Sequence, residues 1–184
     1  DAAWRKTLGG LVGFGGAGLR FHHHVEDTEY FPAILEKGGD PAQIGPLQTE
    51  HHEIDALLDR MDAVAVRLQA GGPDDGAVAE ATQLASTFAD HVRKHLDAEE
   101  PVFFPLLQEH IPDAEAHKIA ARVAKNAPRK GISWLFGGVK FAMTPAEGNN
   151  FLSSFPKPIL WMRPMLLRAY RRNCATLGVP EAFD

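Results

Sequence analysis

Apolar residues recur at helical spacing in three long segments of the chain. These segments run from Leu19 to Lys37, from about Ile44 to Ala70, and from about Asp75 to Glu109. The second is the clearest, because its apolar residues keep the three-four spacing of a helix with one buried face. They are Ile54, Leu57, Leu58, Met61, Val64 and Leu68. Clusters rich in Gly and Pro follow the first two segments and end them. Three long helices with short loops predict an all-α protein built on an up-and-down bundle.

Residues 111–184 differ from the preceding part in being rich in Gly, Pro and aromatic residues. Helical spacing is found around residues 114–125, 133–143 and 160–177. This part contains no clustered metal-ligand residues, so no chemistry is assigned to it. We therefore expect two parts: a bundle over residues 1–110, and a helical extension over residues 111–184 that packs on it.

Composition and charge exclude several classes of function. The chain has 184 residues, a net charge of −5 and a pI of about 6.0, so it has no global basic field for nucleic acid. No uncharged apolar run approaches the roughly 18 residues of a membrane span. The run Thr7–Leu19 superficially resembles a secretion signal, but it is rich in Gly and Ala rather than Leu. The lone Cys174 forms no internal disulfide and fits a reducing compartment. A cytoplasmic location is therefore expected.

Histidines cluster on the predicted helices. Seven of the nine lie in three groups, namely His22, His23 and His24; His51 and His52; and His91 and His95. Residues four apart stack on one face of a helix. Four pairs have this spacing: His22 with Glu26, His51 with Asp55, His91 with His95, and His95 with Glu99. Three helices can thus direct imidazoles and carboxylates into a common interior.

Two of these segments look like copies of one unit. His22-x-x-x-Glu26 and His95-x-x-x-Glu99 are each followed by Phe-Pro at the same offset. Buried glutamates are costly without partners, which points to cations between them. Imidazole and carboxylate without thiolate suit iron, manganese or zinc, and two carboxylates able to bridge favour a metal pair. No histidine has a Glu three residues before it, so the Glu-x-x-His signature of ferritin-like proteins is missing.

The motifs resemble the His-His-Glu cation-binding domain of hemerythrin-like proteins. The resemblance rests on "HHHVEDTEYFPAIL" (22–35), "TEHHEIDALL" (49–58) and "HVRKHLDAEEPVFFPLL" (91–107), in that order, and covers about residues 19–110. The tail, with "NAPRKGISWLFGG" and "FLSSFPKPILWM", is similar to extensions of actinobacterial members. The resemblance implies a four-helix bundle holding two iron ions in an oxo- or hydroxo-bridged centre.

The resemblance also implies a ligand set. It assigns His22 and Glu26 to the second bundle helix, His51 to the third, and His95 and Glu99 to the fourth, with both glutamates bridging the metals. The family has a further histidine on a first helix. Residues 1–21 contain none and look too short and too glycine-rich for a full bundle helix. Either that ligand lies upstream of Asp1, or His91 replaces it.

The remaining histidines are expected to lie off the ligand face. By the geometry of about 3.6 residues per turn, His23, His24 and His52 are displaced from it, and we expect them to hydrogen-bond the ligands or face solvent. Tyr30 lies eight residues after His22 and shares its face. It is either a core residue or a group that reaches the metals as a phenolate or hydrogen-bond donor. Phe103 holds the same place in the second copy.

The expected function is the handling of a small oxidant. Hemerythrin-like proteins bind oxygen reversibly, act on peroxide or nitric oxide, or sense oxygen and iron, and the fold does not choose among these. An oxidoreductase acting on H2O2 or NO, with O2 as a further ligand and Tyr30 as a catalytic group, is the first hypothesis. An oxygen carrier, or an oxygen or iron sensor without turnover, is the alternative.

Overall fold

The computed structural model of the protein describes residues 1–127, 129–153, 155 and 157–180. All regular secondary structure in these residues is helical. The helices are α1 (Ala2–Val25), α2 (Phe31–Glu36), α3 (Pro41–Gln69), α4 (Asp75–His110), α5 (Asp113–Asn126), α6 (Ile132–Ala142), α7 (Pro145–Ser153), α8 (Lys157–Trp161) and α9 (Arg163–Leu177). A π-helical turn, Glu26–Tyr30, joins α1 to α2. The predicted fold class, an all-α bundle with additional C-terminal helices, is confirmed.

The glycine-rich start of the chain is helical in spite of its glycines, but residues 2–21 do not make a separate first bundle helix, because they are the first part of α1, which also carries His22. Helix α1 begins at Ala2 and packs along α3. A Cβ atom at Gly9 would lie 2.8 Å from the carbonyl oxygen of Ala65 and from Cβ of Leu68. Each glycine costs a helix about 1 kcal/mol relative to alanine, but here the missing side chain allows the two helices to approach closely.

The turn between α1 and α2 widens the helix at the point where the motif residues begin. The amide of Phe31 donates a hydrogen bond to the carbonyl of Glu26, five residues earlier, which is the spacing of a π helix. Pro32 lies in the first turn of α2, where its missing N–H costs no helical hydrogen bond. The chain therefore stays helical from α1 through the π turn, which carries Glu26 and Asp27, into α2.

Helices α1, α3 and α4 share the main core. The apolar stripe predicted on α3 is buried at every position, with Leu58 and Leu68 wholly inaccessible. Val12 and Leu19 of α1 and Leu84 of α4 complete this cluster. Burying each large aliphatic side chain contributes roughly 1.5–3 kcal/mol, so this core holds the three helices that carry the histidine motifs in a fixed relation.

The C-terminal helices cover one side of α1. Helix α9 contacts α1 and α6, and the ring of Tyr170 lies edge-on to Trp134 with centroids 5.7 Å apart. Helix α5 is tied to the chain near the π turn by an ion pair between Arg122 and Glu29. No described helix combines the length and the apolar character needed to cross a membrane.

Candidate metal centre

Five ionisable side chains lie buried in the middle of the helices. His23, Glu26, His51, His95 and Glu99 each expose 4% of their surface or less. They come from α1, the π turn, α3 and α4. His22 stands beside them and keeps 40% of its side chain exposed. Such groups are rarely buried unless a counter-charge or a metal compensates the lost hydration.

The six side chains form two adjoining groups. His22, Glu26, His95 and Glu99 make up one, and His23, His51 and His95 make up the other. Within each group the ligand atoms lie within 4.8 Å of one another. His95 belongs to both groups, so the two groups are direct neighbours. Each group could hold a metal ion, and the imidazole of His95 is available to either.

Glu26 faces imidazoles of both groups. Its Oε1 lies 3.2 Å from Nε2 of His22, and its Oε2 lies 3.6 Å from Nε2 of His51. Oε2 of Glu99 lies 3.3 Å from Nε2 of His95 and 3.6 Å from Nε2 of His22. Each of these carboxylates lies close to two imidazoles, where its oxygens could help to hold a cation.

Two further carboxylates orient the imidazoles from behind. Nδ1 of His51 lies 3.0 Å from Oδ2 of Asp27, and Nδ1 of His95 lies 3.2 Å from Oε2 of Glu50. A carboxylate at one ring nitrogen fixes the tautomer, so that the other nitrogen presents its lone pair. Both rings consequently offer Nε2 to the centre.

The atoms that face the centre have no hydrogen-bond partners. Buried and unpartnered are Nε2 of His22, His51 and His95, both ring nitrogens of His23, and Oε2 of Glu26 and Glu99. Each such group costs about 1–3 kcal/mol when left unsatisfied. A hydrogen-bonded network would not leave so many in one place, whereas cations satisfy them together. The donor set of nitrogen and oxygen without sulfur suits iron, manganese or zinc.

The comparison with known families agrees with this chemistry. The model of the hemerythrin HHE cation binding domain matches residues 5–123, more than half of the chain. The chain belongs to this family. No curated protein and no solved structure matches it significantly. An HHE domain binds metal cations, typically iron, and the cluster of histidines and glutamates could hold such a cation. We refer to the cluster of His22, His23, Glu26, His51, His95 and Glu99 as the HHE centre.

The two buried carboxylates of the HHE centre lie close enough to affect each other's ionisation. Burial, together with the neighbouring carboxylate of Glu99, raises the pKa of Glu26 to about 10. Burial also acts to raise the pKa of Glu99, but the close imidazoles of His22 and His95 outweigh it and hold that pKa below its usual range. Two adjacent buried carboxylates ionise together only with a compensating positive charge.

His23 is kept neutral by its surroundings. Burial, and then the neighbouring His51 and His95, lower the pKa of His23 to about 3. Its ring stacks on that of His51 at a centroid distance of 4.0 Å. A neutral imidazole has the free lone pair that a metal requires.

The structure brings together five of the six residues predicted as metal ligands. His22, Glu26, His51, His95 and Glu99 all lie in the two groups, whereas His91 is exposed and belongs to neither. His23, which was not predicted as a ligand, lies in one of the two groups. The expectation that His23 is displaced from the ligand face was wrong, because His23 and Glu26 are three residues apart, and residues at that spacing are also neighbours on a helix.

His24 and His52 are exposed to solvent, which was one of the two environments expected for them. Asp27 and Glu50 were not predicted. Asp27 directly follows Glu26 in the sequence and contacts His51 of α3. Glu50 directly precedes His51 and contacts His95 of α4. Only the packing of the helices reveals those partners.

Tyr30 borders the HHE centre from the π turn. Its ring lies edge-on to Phe103, with centroids 5.6 Å apart. Burial, followed by the charge of Glu26, raises the pKa of the Tyr30 hydroxyl. The same residue lines a cavity that also reaches His22 and Glu26. The Tyr30 hydroxyl therefore remains protonated at neutral pH, in the wall of the cavity that reaches His22 and Glu26.

That cavity has a volume of about 590 Å³ and lies between α1 on one side and α5 to α7 on the other. Its walls are mainly apolar, and His22 and Glu26 stand at one place in them. His22 and Glu26 are thus accessible from a mainly apolar cavity that is partly open to solvent.

Proposed function

We propose that the chain is a non-haem di-iron protein that binds and turns over a small oxidant, H2O2 or NO, with O2 as a further ligand. The observation that carries the proposal is the convergence of unpartnered imidazole nitrogens and carboxylate oxygens beside an apolar cavity. Membership of the HHE family supports the binding of a metal cation. The cavity beside His22 and Glu26 would give a small molecule access to that cation.

Two metals are supported by the grouping of the donors. The two groups share His95, and the two oxygens of Glu26 face imidazoles of different groups. When bound, a pair of iron ions supplies the electrons that O2, NO and peroxide chemistry needs. Zinc has no such redox chemistry, so an oxidant as substrate favours iron among the metals that the donor set suits.

The roles of the protein side chains follow from their positions. Asp27 and Glu50 hold the His51 and His95 rings in the tautomer that presents Nε2. Apolar walls border the space beside His22 and Glu26, where a small uncharged molecule could approach them. We assign to Tyr30 the role of holding a proton at its hydroxyl, at the cavity wall, for donation to the bound oxidant.

The experiment compares two histidines of α4. His95→Ala removes a buried ring of the centre, and His91→Ala removes an exposed ring one turn away. Iron content, the optical spectrum before and after peroxide, and oxygen evolution are measured for the parent and both variants. We expect about two iron ions per chain and peroxide consumption in the parent and in His91→Ala, and a loss of both in His95→Ala.

Other outcomes would contradict particular parts of the proposal. Zinc alone, or one metal ion per chain, contradicts the di-iron centre. A stable colour with reversible oxygen binding and no consumption of peroxide or NO contradicts turnover, and it favours the carrier or sensor.

A further inference from the structure

Large apolar side chains are exposed where α8 ends and α9 begins. Trp161 is 79% exposed, Met162 44% and Met165 56%. The other exposed large apolar side chains of the described residues lie far apart in the sequence: Leu11, Val66, Phe104 and Val179. Single exposed apolar residues are common in folded proteins, whereas a cluster of them marks a contact surface. Three such side chains within five residues form such a cluster.

Arginines lie on the same face of α9 as Met165. Three residues form the buried stripe of α9, namely Leu166, Tyr170 and Cys174. By the geometry of about 3.6 residues per turn, Met165, Arg168 and Arg172 lie roughly 140–160° around the helix from the middle of this stripe. Both arginines are exposed. We call Trp161, Met162, Met165, Arg168 and Arg172 together the α8–α9 surface.

The charge around the α8–α9 surface is opposite to that of the whole chain. Residues 148–180 contain five lysines and arginines and no aspartate or glutamate, whereas the chain has a net charge of −5. Within the part of the chain that the structure describes, no ion pair involves Lys157, Arg168 or Arg172. The positive charge beside these apolar side chains is therefore complementary to an anionic partner.

We propose that the α8–α9 surface binds the face of a membrane that contains anionic phospholipids. The arginines pair with lipid phosphates and carboxylates. Trp161 and the two methionines enter the boundary between headgroups and acyl chains, where tryptophan is favoured. A nucleic acid also offers phosphates, but it has no hydrocarbon region to cover the methionines.

This binding goes beyond the handling of a small oxidant. It uses no residue of the HHE centre and does not depend on which metal that centre holds. It also requires no helix that crosses the bilayer, because the side chains of the α8–α9 surface reach only the headgroup region.

The first test measures binding of the purified, metal-loaded chain to lipid vesicles by co-sedimentation. Vesicles of phosphatidylserine and phosphatidylcholine in equal parts are compared with vesicles of phosphatidylcholine alone. We expect at least tenfold tighter binding to the anionic vesicles, since each basic side chain near such a surface contributes about 1 kcal/mol. Added salt should weaken this binding by screening the exposed charges.

A pair of double variants tests the arginines. Replacing Arg168 and Arg172 together by Gln should weaken binding to the anionic vesicles about thirtyfold, because two basic contacts are lost. Replacing Arg60 and Arg93 together by Gln is the matched control. These exposed arginines lie on α3 and α4, and their loss changes the net charge by the same amount. The control should bind like the parent.

A second pair of variants tests the apolar contact. Trp161→Ala should weaken binding about tenfold or more, since burial of a large apolar side chain contributes roughly 1.5–3 kcal/mol. Phe104→Ala is the control, because Phe104 is 50% exposed but lies on α4. Tryptophan emission of the parent should shift to shorter wavelength on binding, as Trp161 leaves water, and the shift should be absent in Trp161→Phe.

The proposal is overturned if the anionic vesicles are not bound, or are bound no better than the neutral vesicles. Binding of the arginine and tryptophan variants equal to that of their controls would also overturn it, and either pair decides alone if a variant of the other fails to fold. Tighter binding to a single-stranded oligonucleotide than to the anionic vesicles would assign the surface to nucleic acid instead. Salt-sensitive self-association that Trp161→Ala abolishes would assign it to a second copy of the chain.

Discussion

Oδ2 of Asp27 lies 3.0 Å from Nδ1 of His51, so a residue next to one member of the metal centre orients a member on another helix. Glu50, the neighbour of His51, holds His95 in the same way at 3.2 Å. The π turn, α3 and α4 are thereby linked in series by carboxylate and imidazole pairs. The orientation of the His51 and His95 rings in the centre therefore depends on Asp27 and Glu50.

Removing either orienting carboxylate should weaken metal binding without removing a ligand. For Asp27→Asn and Glu50→Gln we expect a loss of about 10–100-fold in iron affinity, because the imidazole loses its charged partner. Glu53→Gln, on the exposed face of α3, is the control. Iron titration followed by the optical spectrum measures the effect. An affinity equal to that of the control in both variants would show that the two contacts are incidental.

His23 and His24 are adjacent in the sequence but differ in environment. His23 is buried in the centre and His24 is exposed. We expect His23→Ala to reduce the iron content per chain substantially and His24→Ala to leave it unchanged, as determined by elemental analysis. Full iron content in His23→Ala would remove His23 from the ligand set and reopen the case for His91.

Metal removal should destabilise the fold. The buried donors of the centre have no other partners, and metal that binds only the folded state stabilises it by mass action. At a metal concentration about 100 times the dissociation constant this amounts to roughly 2.7 kcal/mol, or about 5–10 °C in the unfolding midpoint for a chain of this size. Differential scanning calorimetry with and without a chelator measures the change. An unchanged midpoint would contradict a metal held by these groups.

Tyr30→Phe separates a chemical role of the hydroxyl from a packing role of the ring. The ring contact with Phe103 is retained in the variant, so iron content and helicity should stay nearly the same. If the hydroxyl reaches the metals or donates a proton, the visible spectrum, the rate of peroxide consumption, or both should change. A variant identical to the parent in both measurements would make Tyr30 a core residue only.

The ion pair that ties α5 to the π turn should depend on pH. The Arg122 guanidinium beside Glu29 holds the pKa of that carboxyl below its ordinary value of 4.5. The pair therefore stabilises the fold above that value, and its contribution is lost as the pH falls through the lowered pKa. Glu29→Gln should lower the free energy of unfolding at neutral pH, and the difference from the parent should vanish in acid. Glu36→Gln, on an exposed position nearby, should show neither effect.

Helix periodicity and the order of the motifs were sufficient to predict the three long helices and most of the centre. The apolar stripe of α3 is buried as predicted, and His22, Glu26, His51, His95 and Glu99 converge. These inferences succeed because spacing along one helix determines which residues share a face. Whether the five residues bind iron stays a prediction.

What the sequence did not determine depends on distances between helices. His91 and His95 have the same local spacing as His22 and Glu26, yet the packing of α4 exposes His91. Residues 1–21 were interpreted as too rich in glycine for a full bundle helix, although Gly9 and Gly13 allow α1 to approach Ala65 of α3 closely. The partners of Asp27 and Glu50 lie on other helices, and the walls of the cavity come from residues more than a hundred positions apart. Periodicity describes one helix at a time, whereas these features exist only after several helices have packed against one another.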